Sequence, residues 1–205
     1  MYKLYYSPGA CSMSVHVALN ECNQSVTLEK VDLSGQRTPE YLKLNPRGQV
    51  PVLVDGDLVI REGAAILMHV LEKHNSPLLP SKDPERTQAL EWLMFANATL
   101  HPAYGRMFFL KKNGITEGPL MEATCTSISK LWEEVDQHLS SNTYVCGEQI
   151  TVADILLTVI ANWSGNAPRP ITLGPNVKRL LKQVSSRPAY QMALREEQVE
   201  YKAAA

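Results

Sequence analysis

The spacing of apolar residues changes character near residue 76, and this change constrains the fold more than any other feature of the sequence. Before it, short strand-like runs alternate with segments of helical spacing, whereas helical spacing dominates after it. The two patterns meet in the proline-bounded stretch Ser76–Pro80, a composition typical of a connector. We therefore predict two domains, residues 1–77 and residues 83–205.

The first domain is predicted to follow the order strand-helix-strand-helix-strand-strand-helix. Asp55-Gly56 lies between the last two strands and is a strong signal for a tight hairpin. Two βαβ-like units with a closing hairpin indicate an α/β domain, a mixed sheet covered by helices. The predicted strands are 3–6, 26–32, 50–54 and 58–60, and the predicted helices are 12–22, 39–44 and 62–73.

The second domain is predicted to be all-helical. Asp83 and Pro84 suit the N-cap and the first position of its first helix, which Pro102 is expected to kink or end. Thr151 and Asp154 have the spacing of a capping box. Further helices are predicted over residues 119–139 and after residues 175 and 188.

Charge and cysteine content exclude several classes of partner. The 20 Lys and Arg residues almost balance the 21 Asp and Glu residues, which argues against a nucleic-acid ligand. The longest apolar-rich stretch, Ile150–Trp163, is interrupted by polar residues and is too short to cross a membrane. Four widely spaced cysteines favour a reducing cytoplasm over a disulfide framework.

Cys11 follows a Pro-Gly turn and opens a predicted helix. Amide groups at a helix start favour a thiolate over a thiol, and a thiolate attacks electrophiles or disulfides. The run Cys11–Ser14 has the spacing of a redox dithiol motif whose second cysteine is a serine, so a mixed disulfide here would need an external thiol to resolve it. A buried structural cysteine is the alternative reading.

Two further segments have a spacing that suits ligand binding. In Val50-Pro51, a cis bond would turn the Val50 backbone groups outward, although an ordinary trans proline at a strand start is the commoner case. The Gly63 amide suits a carboxylate and Glu62 an ammonium, which together match the α-amino-acid end of a small molecule. Alternatively, Glu62 complements the helix dipole.

The histidines show no metal-binding spacing, and we predict no metal site. His101 stands apart because Pro102 follows it, at a point where a bend would turn Asn97–Tyr104 towards a cleft. The other histidines are interpreted as surface or core-edge residues; they are His16, His69, His74 and His138.

Five segments together resemble a bacterial beta-class glutathione transferase over essentially the whole chain. These segments are Tyr5–Ser12, Asn45–Pro51, Glu62-Gly63, Glu91–Leu93 and Thr151–Asp154. The resemblance implies a thioredoxin-like N-terminal domain, a helical C-terminal domain and a homodimer. It also implies reduced glutathione as cosubstrate, with no other cofactor.

The resemblance also assigns roles to residues. Cys11 is implied to face the glutathione sulfur, and Val50, before a cis-Pro51, to pair with the cysteinyl backbone of the tripeptide. Glu62 and Gly63 would hold its γ-glutamyl end. Gln36 would lie near its glycyl carboxylate, with the adjacent Arg37 as a possible substitute. The second domain would supply the catalytic His101 and an electrophile pocket of His101, Tyr104 and Trp163.

The function implied is conjugation of the glutathione thiolate to small, partly apolar electrophiles, a detoxification reaction in the cytoplasm. One alternative is a glutathione-dependent thiol-disulfide oxidoreductase or dehalogenase. Another is a non-catalytic adaptor that uses the transferase fold to bind proteins.

Overall fold

The computed structural model describes residues 1–204 and confirms the predicted fold class, a thioredoxin-like domain followed by a helical one. The strands are β1 (Tyr2–Tyr6), β2 (Val26–Lys30), β3 (Val52–Asp55) and β4 (Leu58–Ile60). The helices of the first 81 residues are α1 (Ser12–Glu21), α2 (Pro39–Leu44) and α3 (Gly63–Lys73). The later helices are α4 (Glu85–Met94), α5 (His101–Lys112), α6 (Pro119–Leu139), α7 (Val152–Ala161), α8 (Pro175–Ser185) and α9 (Pro188–Glu197).

The four strands form one mixed sheet in the order β2-β1-β3-β4. β1 runs parallel to β2 and antiparallel to β3, so Leu4 lies between Leu28 and Leu53. Alternate residues of β1 are buried, as expected for a strand whose faces differ in exposure. The β1-α1-β2 crossover and the β3-β4 hairpin therefore confirm the predicted strand and helix order.

The β3-β4 turn differs from the prediction by one residue. Asp55 pairs with Leu58, so the central residues of the turn are Gly56 and Asp57 and not Asp55 and Gly56. Gly56 has a φ of 60°, a conformation that glycine adopts without steric cost. Asp57 has no such positive φ, which is the pattern of a hairpin with glycine at its first central position.

Contacts divide the described residues into two compact units. Unit 1 comprises residues 1–81 and 186–200, and unit 2 comprises residues 82–185 and 201–204 of the described chain. The domain limits predicted from the sequence pattern, 1–77 and 83–205, remain a prediction. The contacts place α9 in unit 1, whereas the sequence pattern placed it in the second domain.

α9 belongs to unit 1 because it helps to cover α1, which is buried at each position from Ser12 to Leu19. The guanidinium of Arg187 donates to both carboxylate oxygens of Glu21 at 2.7 and 2.8 Å, and Asn20 donates to the Ala189 carbonyl. These contacts explain why a helix far along the chain covers α1.

The helices of unit 2 surround α7, whose ten residues are all buried. The apolar stretch predicted to be too short for a membrane thus forms the buried central helix of unit 2. None of the helices in residues 1–204 is long and apolar enough to span a membrane. In α6, one residue is buried every three or four positions, as predicted for 119–139; the buried residues are Met121, Cys125, Ile128, Trp132, Val135 and Leu139.

Two predictions about helix ends need correction. Of the two outcomes predicted for Pro102, a kink or an end of the helix, the structure excludes the end: a π-helical turn, Phe95–Leu100, precedes α5 and accommodates the proline at the second α5 position. α4 begins at Glu85, after a cis Asp83-Pro84 bond, so Asp83 and Pro84 lie one position earlier than predicted. Asp83 nevertheless accepts from the Thr87 amide at 3.2 Å.

The capping box of α7 is confirmed. The Thr151 amide donates to Asp154 Oδ2 at 2.8 Å, and the Thr151 hydroxyl donates to the same oxygen at 3.1 Å. Asp154 Oδ1 accepts from the Val145 amide at 2.9 Å, so the buried carboxylate also fixes the preceding loop.

Candidate active site

Cys11 lies where the sequence places it, at the junction between the turn after β1 and the start of α1. Gly9, with a φ of 67°, allows the turn, which the Ala10 amide closes by donating to the Ser7 carbonyl at 3.0 Å. Cys11 occupies the N-cap position of α1 and is partly exposed. Its thiol donates to the Val50 carbonyl, with a sulfur-to-oxygen distance of 3.5 Å.

The predicted thiolate at Cys11 is not supported. Burial raises the pKa of this thiol to about 12 and outweighs the backbone amides of Cys11 and Ser12, which act in the opposite direction. The nearby Glu62 carboxylate raises the pKa further. At neutral pH, Cys11 is therefore a neutral S–H donor and not an activated nucleophile.

Val50 lies at the end of a loop that side chains hold in place. The Val50-Pro51 bond is cis. Two side chains, the Tyr41 hydroxyl and the Asn45 amide, donate to the Gln49 carbonyl at 2.6 and 2.7 Å. Asn45 is almost fully buried, so the loop is held through its contact with the interior of unit 1. Sequence analysis missed both residues, although an asparagine that opens a turn is a usable signal.

Glu62 and Gly63 lie together at the N-terminus of α3, as predicted. Glu62 has extended backbone geometry at the N-cap, and Gly63 is the first helical residue. The Glu62 side chain is 63% exposed, and its Oε1 accepts from Arg47 Nη2 at 2.6 Å. Arg47 belongs to the same loop as Asn45, so the loop before Val50 also orients Glu62; sequence analysis missed this arginine.

Gln36 lies on an exposed loop, and the adjacent Arg37 stabilises the conformation of this loop. The Arg37 guanidinium donates to the carbonyls of Asp32, Leu33, Gly35 and Gly48 at 2.5–3.1 Å. Four of its five N–H groups are thereby used, which argues against the suggestion that it binds a ligand carboxylate. Gln36 instead lines a cavity of about 510 Å³ beside Arg37 and Tyr41.

In unit 2, His101 and Trp163 are neighbours. Their rings make an edge-to-face contact, with centroids 5.0 Å apart. His101 is the first residue of α5, and Trp163 is 8% exposed. Burial lowers the pKa of His101, because it disfavours the charged form of the imidazole.

Tyr104 is wrongly predicted as a pocket residue. It is fully buried. Its hydroxyl forms a hydrogen bond with the Ser164 hydroxyl at 2.6 Å and accepts a second one from Trp132 Nε1 at 2.8 Å. Its ring packs edge to face against Trp163 at 5.8 Å. Tyr104 therefore supports Trp163 from within the core of unit 2.

His16 is also misplaced by sequence analysis, which put it at the surface or core edge. The side chain is fully buried in unit 1. Its Nδ1 lies 3.0 Å from Glu197 Oε1, and its Nε2 lies 2.7 Å from Glu196 Oε2. The other Glu197 oxygen accepts from the Gly9 amide at 3.0 Å, so α9 fixes the turn that leads to Cys11.

Comparisons with known proteins agree with this architecture. Residues 1–72 match the model of the glutathione S-transferase N-terminal domain, and residues 100–188 match that of the C-terminal domain. Glutathione S-transferase GST-4.5 of Xanthomonas campestris is 32% identical over 171 residues, which cover 80% of this chain and 83% of the relative. The chain belongs to the glutathione S-transferase family.

Solved structures of glutathione transferases have the same fold over nearly their full length. BphK, a bacterial GST solved as a ternary complex, is 33% identical, with a TM-score of 0.86 over 96% of this chain and 100% of that one. A sphingomonad glutathione S-transferase complexed with glutathione is 28% identical, with a TM-score of 0.82 over 97% of this chain and 100% of that one.

The protein is thus a glutathione transferase, an enzyme whose relatives use glutathione as cosubstrate. Its N-terminal family domain contains the Cys11–Val50 pair and the Glu62-Gly63 helix start, and the C-terminal domain contains His101 and Trp163. Within residues 1–204, no group of three or more His, Cys, Asp or Glu side chains is arranged to hold a metal ion.

Proposed function

We propose that this glutathione transferase is of the beta class and conjugates glutathione to small, partly apolar electrophiles. The observation that carries the proposal is the hydrogen bond between the Cys11 thiol and the Val50 carbonyl, because it joins the two groups predicted to face the cysteinyl part of glutathione. The start of α3 supplies the matching groups for the other end of the tripeptide.

In the proposed complex, each part of glutathione meets a group of suitable chemistry. The cysteinyl backbone pairs with the backbone of Val50, and the γ-glutamyl carboxylate accepts from the Gly63 amide at the positive end of α3. The γ-glutamyl ammonium pairs with Glu62, whose second carboxylate oxygen is outside its contact with Arg47. Gln36 remains a predicted contact of the glycyl carboxylate.

When glutathione binds, its cysteinyl amide takes over the Val50 carbonyl, and the neutral Cys11 thiol then donates its single hydrogen to the glutathione sulfur instead of to that carbonyl. A donor stabilises the glutathione thiolate and so lowers the pKa of the bound cosubstrate. The thiolate attacks the electrophilic carbon with its electron pair, a carbon–sulfur bond forms, and the leaving group departs with the electrons of the bond that breaks. We assign to His101 and Trp163 the contacts with the electrophile.

The same property of Cys11 separates this function from its alternatives. Disulfide exchange in which Cys11 itself attacks needs the Cys11 thiolate, and a thiol with a pKa of about 12 supplies very little of it at neutral pH. A protein-binding adaptor needs no thiol beside a backbone carbonyl and no glutamate oriented at a helix start. Conjugation therefore accounts for more of the observed geometry than either alternative does.

Replacement of Cys11 by alanine tests the proposal. We expect calorimetry to detect glutathione binding by the parent protein. In the variant, we expect kcat/KM for conjugation to an electrophilic aryl chloride to fall about tenfold, since a single hydrogen bond to a charged acceptor is lost. Because glutathione provides the nucleophile, activity should fall without being abolished.

Cys22→Ala is the matched control, because Cys22 is a second partly exposed thiol of unit 1 whose pKa burial also raises. It should leave conjugation unchanged. A complete loss of conjugation in Cys11→Ala would contradict the donor role and make Cys11 the covalent nucleophile. Failure of the parent protein to bind glutathione would overturn the proposed function itself.

A second prediction concerns Arg47, which we propose positions Glu62. Arg47→Ala frees the exposed Glu62 side chain to sample other rotamers, so we expect KM for glutathione to rise two- to fivefold while kcat stays within twofold, in keeping with an exposed pair. Lys43→Ala, which removes an exposed cation of the nearby helix α2, is the control. An equal fall of kcat in Arg47→Ala would instead indicate a role in the chemical step.

The remaining aspects of the proposal concern the cellular setting. We propose a cytoplasmic enzyme of detoxification that acts as a homodimer and has neither a nucleic acid nor a membrane as partner. All four cysteines are free, which suits a reducing compartment. Light scattering coupled to size-exclusion chromatography would give twice the chain mass for the dimer.

A further inference from the structure

A cavity of about 390 Å³ opens on unit 2, and none of the residues predicted for the glutathione site lines it. It is formed by α4, α6 and the loop that follows α6. This volume is in the range of small-ligand pockets. The mechanism proposed above makes no use of it.

Aromatic rings form the apolar part of this cavity. The indole of Trp92 contacts two other rings, with centroid distances of 5.3 Å to Phe95 and 4.6 Å to His138. All three rings are partly exposed. The orientation of the His138 ring is fixed, because its Nε2 donates to the Val145 carbonyl at 2.9 Å.

The charged residues that line the cavity are negative. Glu91 on α4 and Glu134 on α6 contribute one carboxylate from each helix, and both side chains are exposed. Neither carboxylate takes part in an ion pair within the part of the chain that the structure describes. The lining includes no lysine or arginine, so an anionic ligand would meet repulsion without a compensating contact.

The remaining polar groups of the wall do not suit a metal ion. The Cys146 sulfur lies 3.6 Å from the Thr151 hydroxyl oxygen, and burial raises the pKa of this thiol to about 11, so it carries no charge at neutral pH. The Nε2 atom of His138 is occupied by its bond to Val145. No metal-binding group was found in residues 1–204, which include this whole wall.

We propose that this cavity binds a small organic cation, an alkylammonium of about the size of choline. Aromatic faces attract an ammonium group through their quadrupoles, and carboxylates at the rim add charge attraction. The partners required are the ring faces of Trp92, Phe95 and His138 and the carboxylates of Glu91 and Glu134. This site is independent of glutathione binding.

Nuclear magnetic resonance of the full-length protein tests the proposal, with choline as the probe at constant ionic strength. The chain has three tryptophans, so the indole resonance of Trp92 is identified as the one absent from Trp92→Phe. We expect this resonance to shift saturably with choline, while those of Trp132 and Trp163 stay in place. A shift of all three by similar amounts would mean nonspecific binding and would overturn the proposal.

A neutral isostere separates charge from shape. In the alcohol that carries a carbon atom in place of the ammonium nitrogen of choline, size is kept and charge is lost. We expect its dissociation constant to be at least tenfold higher than that of choline, which corresponds to about 1.4 kcal/mol. Equal affinity for the two probes, or no binding of choline, would overturn the proposal.

Protein variants test the carboxylates. The double variant Glu91→Gln/Glu134→Gln should weaken choline binding roughly tenfold and leave conjugation of glutathione unchanged. Glu133→Gln removes the neighbouring exposed charge of α6 outside the cavity lining and should bind choline like the parent protein. Equal weakening by Glu133→Gln and by the double variant would show a general charge effect and overturn the assigned site.

Discussion

Replacing Glu197 by alanine is expected to lower the free energy of unfolding by about 3–5 kcal/mol, because it leaves buried hydrogen-bonding groups without their partner at about 1–3 kcal/mol each. Both ring nitrogens of His16 lie within hydrogen-bond distance of carboxylate oxygens, Nδ1 of Glu197 and Nε2 of Glu196. Without Glu197, the fully buried imidazole keeps only the contact with Glu196, and the Gly9 amide loses its acceptor.

The neighbouring Glu196 provides the control, because it binds the same imidazole but is 40% exposed. Glu196→Gln should cost at most about 1 kcal/mol, since water can replace the lost contact. Urea unfolding at fixed protein concentration measures both changes, and hydrogen exchange of the Gly9 amide reports the local one. Equal costs for the two variants would contradict the importance that we assign to burial.

Asp154→Ala is the second large effect that we expect, at about 3–4 kcal/mol. The buried carboxylate accepts from the Val145 amide, the Thr151 amide and the Thr151 hydroxyl. Alanine deletes the capping box and leaves buried donors without an acceptor, and each such donor costs about 1–3 kcal/mol. Burial raises the pKa of Asp154 to about 6, so the group is still ionised at neutral pH.

Asp154→Asn is the matched variant for this site. It keeps the size and one acceptor oxygen but places an NH₂ group where a second acceptor stood, so we expect roughly half of the alanine cost. Urea unfolding gives the total, and hydrogen exchange of the Val145 and Thr151 amides shows whether the loop before α7 opens. An alanine variant within 0.5 kcal/mol of the parent, the range of an ordinary surface change, would refute the structural role.

Much of the fold was predictable because its signals lie within a few residues of each other. The burial of α6 at every third or fourth position and the Thr151–Asp154 box depend on contacts between residues three or four apart. The Cys11 and Glu62-Gly63 helix starts were located in the same way. Where local signals competed, as at the β3-β4 turn around Gly56, the turn lies one residue later than the sequence predicted.

Long side chains and long-range partners were not predictable. Arg37 and Arg47 both lie in loops that flank α2, yet one donates to backbone carbonyls and the other pairs with Glu62. The choice depends on where the loops lie in space. His16 finds its carboxylates 180 and 181 residues later, a separation over which no spacing pattern operates.

The sequence by itself determined the order of strands and helices, the positions of the helix starts at Cys11 and Gly63, and membership of the glutathione transferase family, which the comparisons confirm. Only the tertiary structure decided that α9 covers α1, that Tyr104 lies inside the core, and that Cys11 keeps its proton. The physical reason is that hydrogen bonds along a helix are fixed by neighbouring residues. Desolvation, by contrast, depends on atoms that packing brings in from distant parts of the chain.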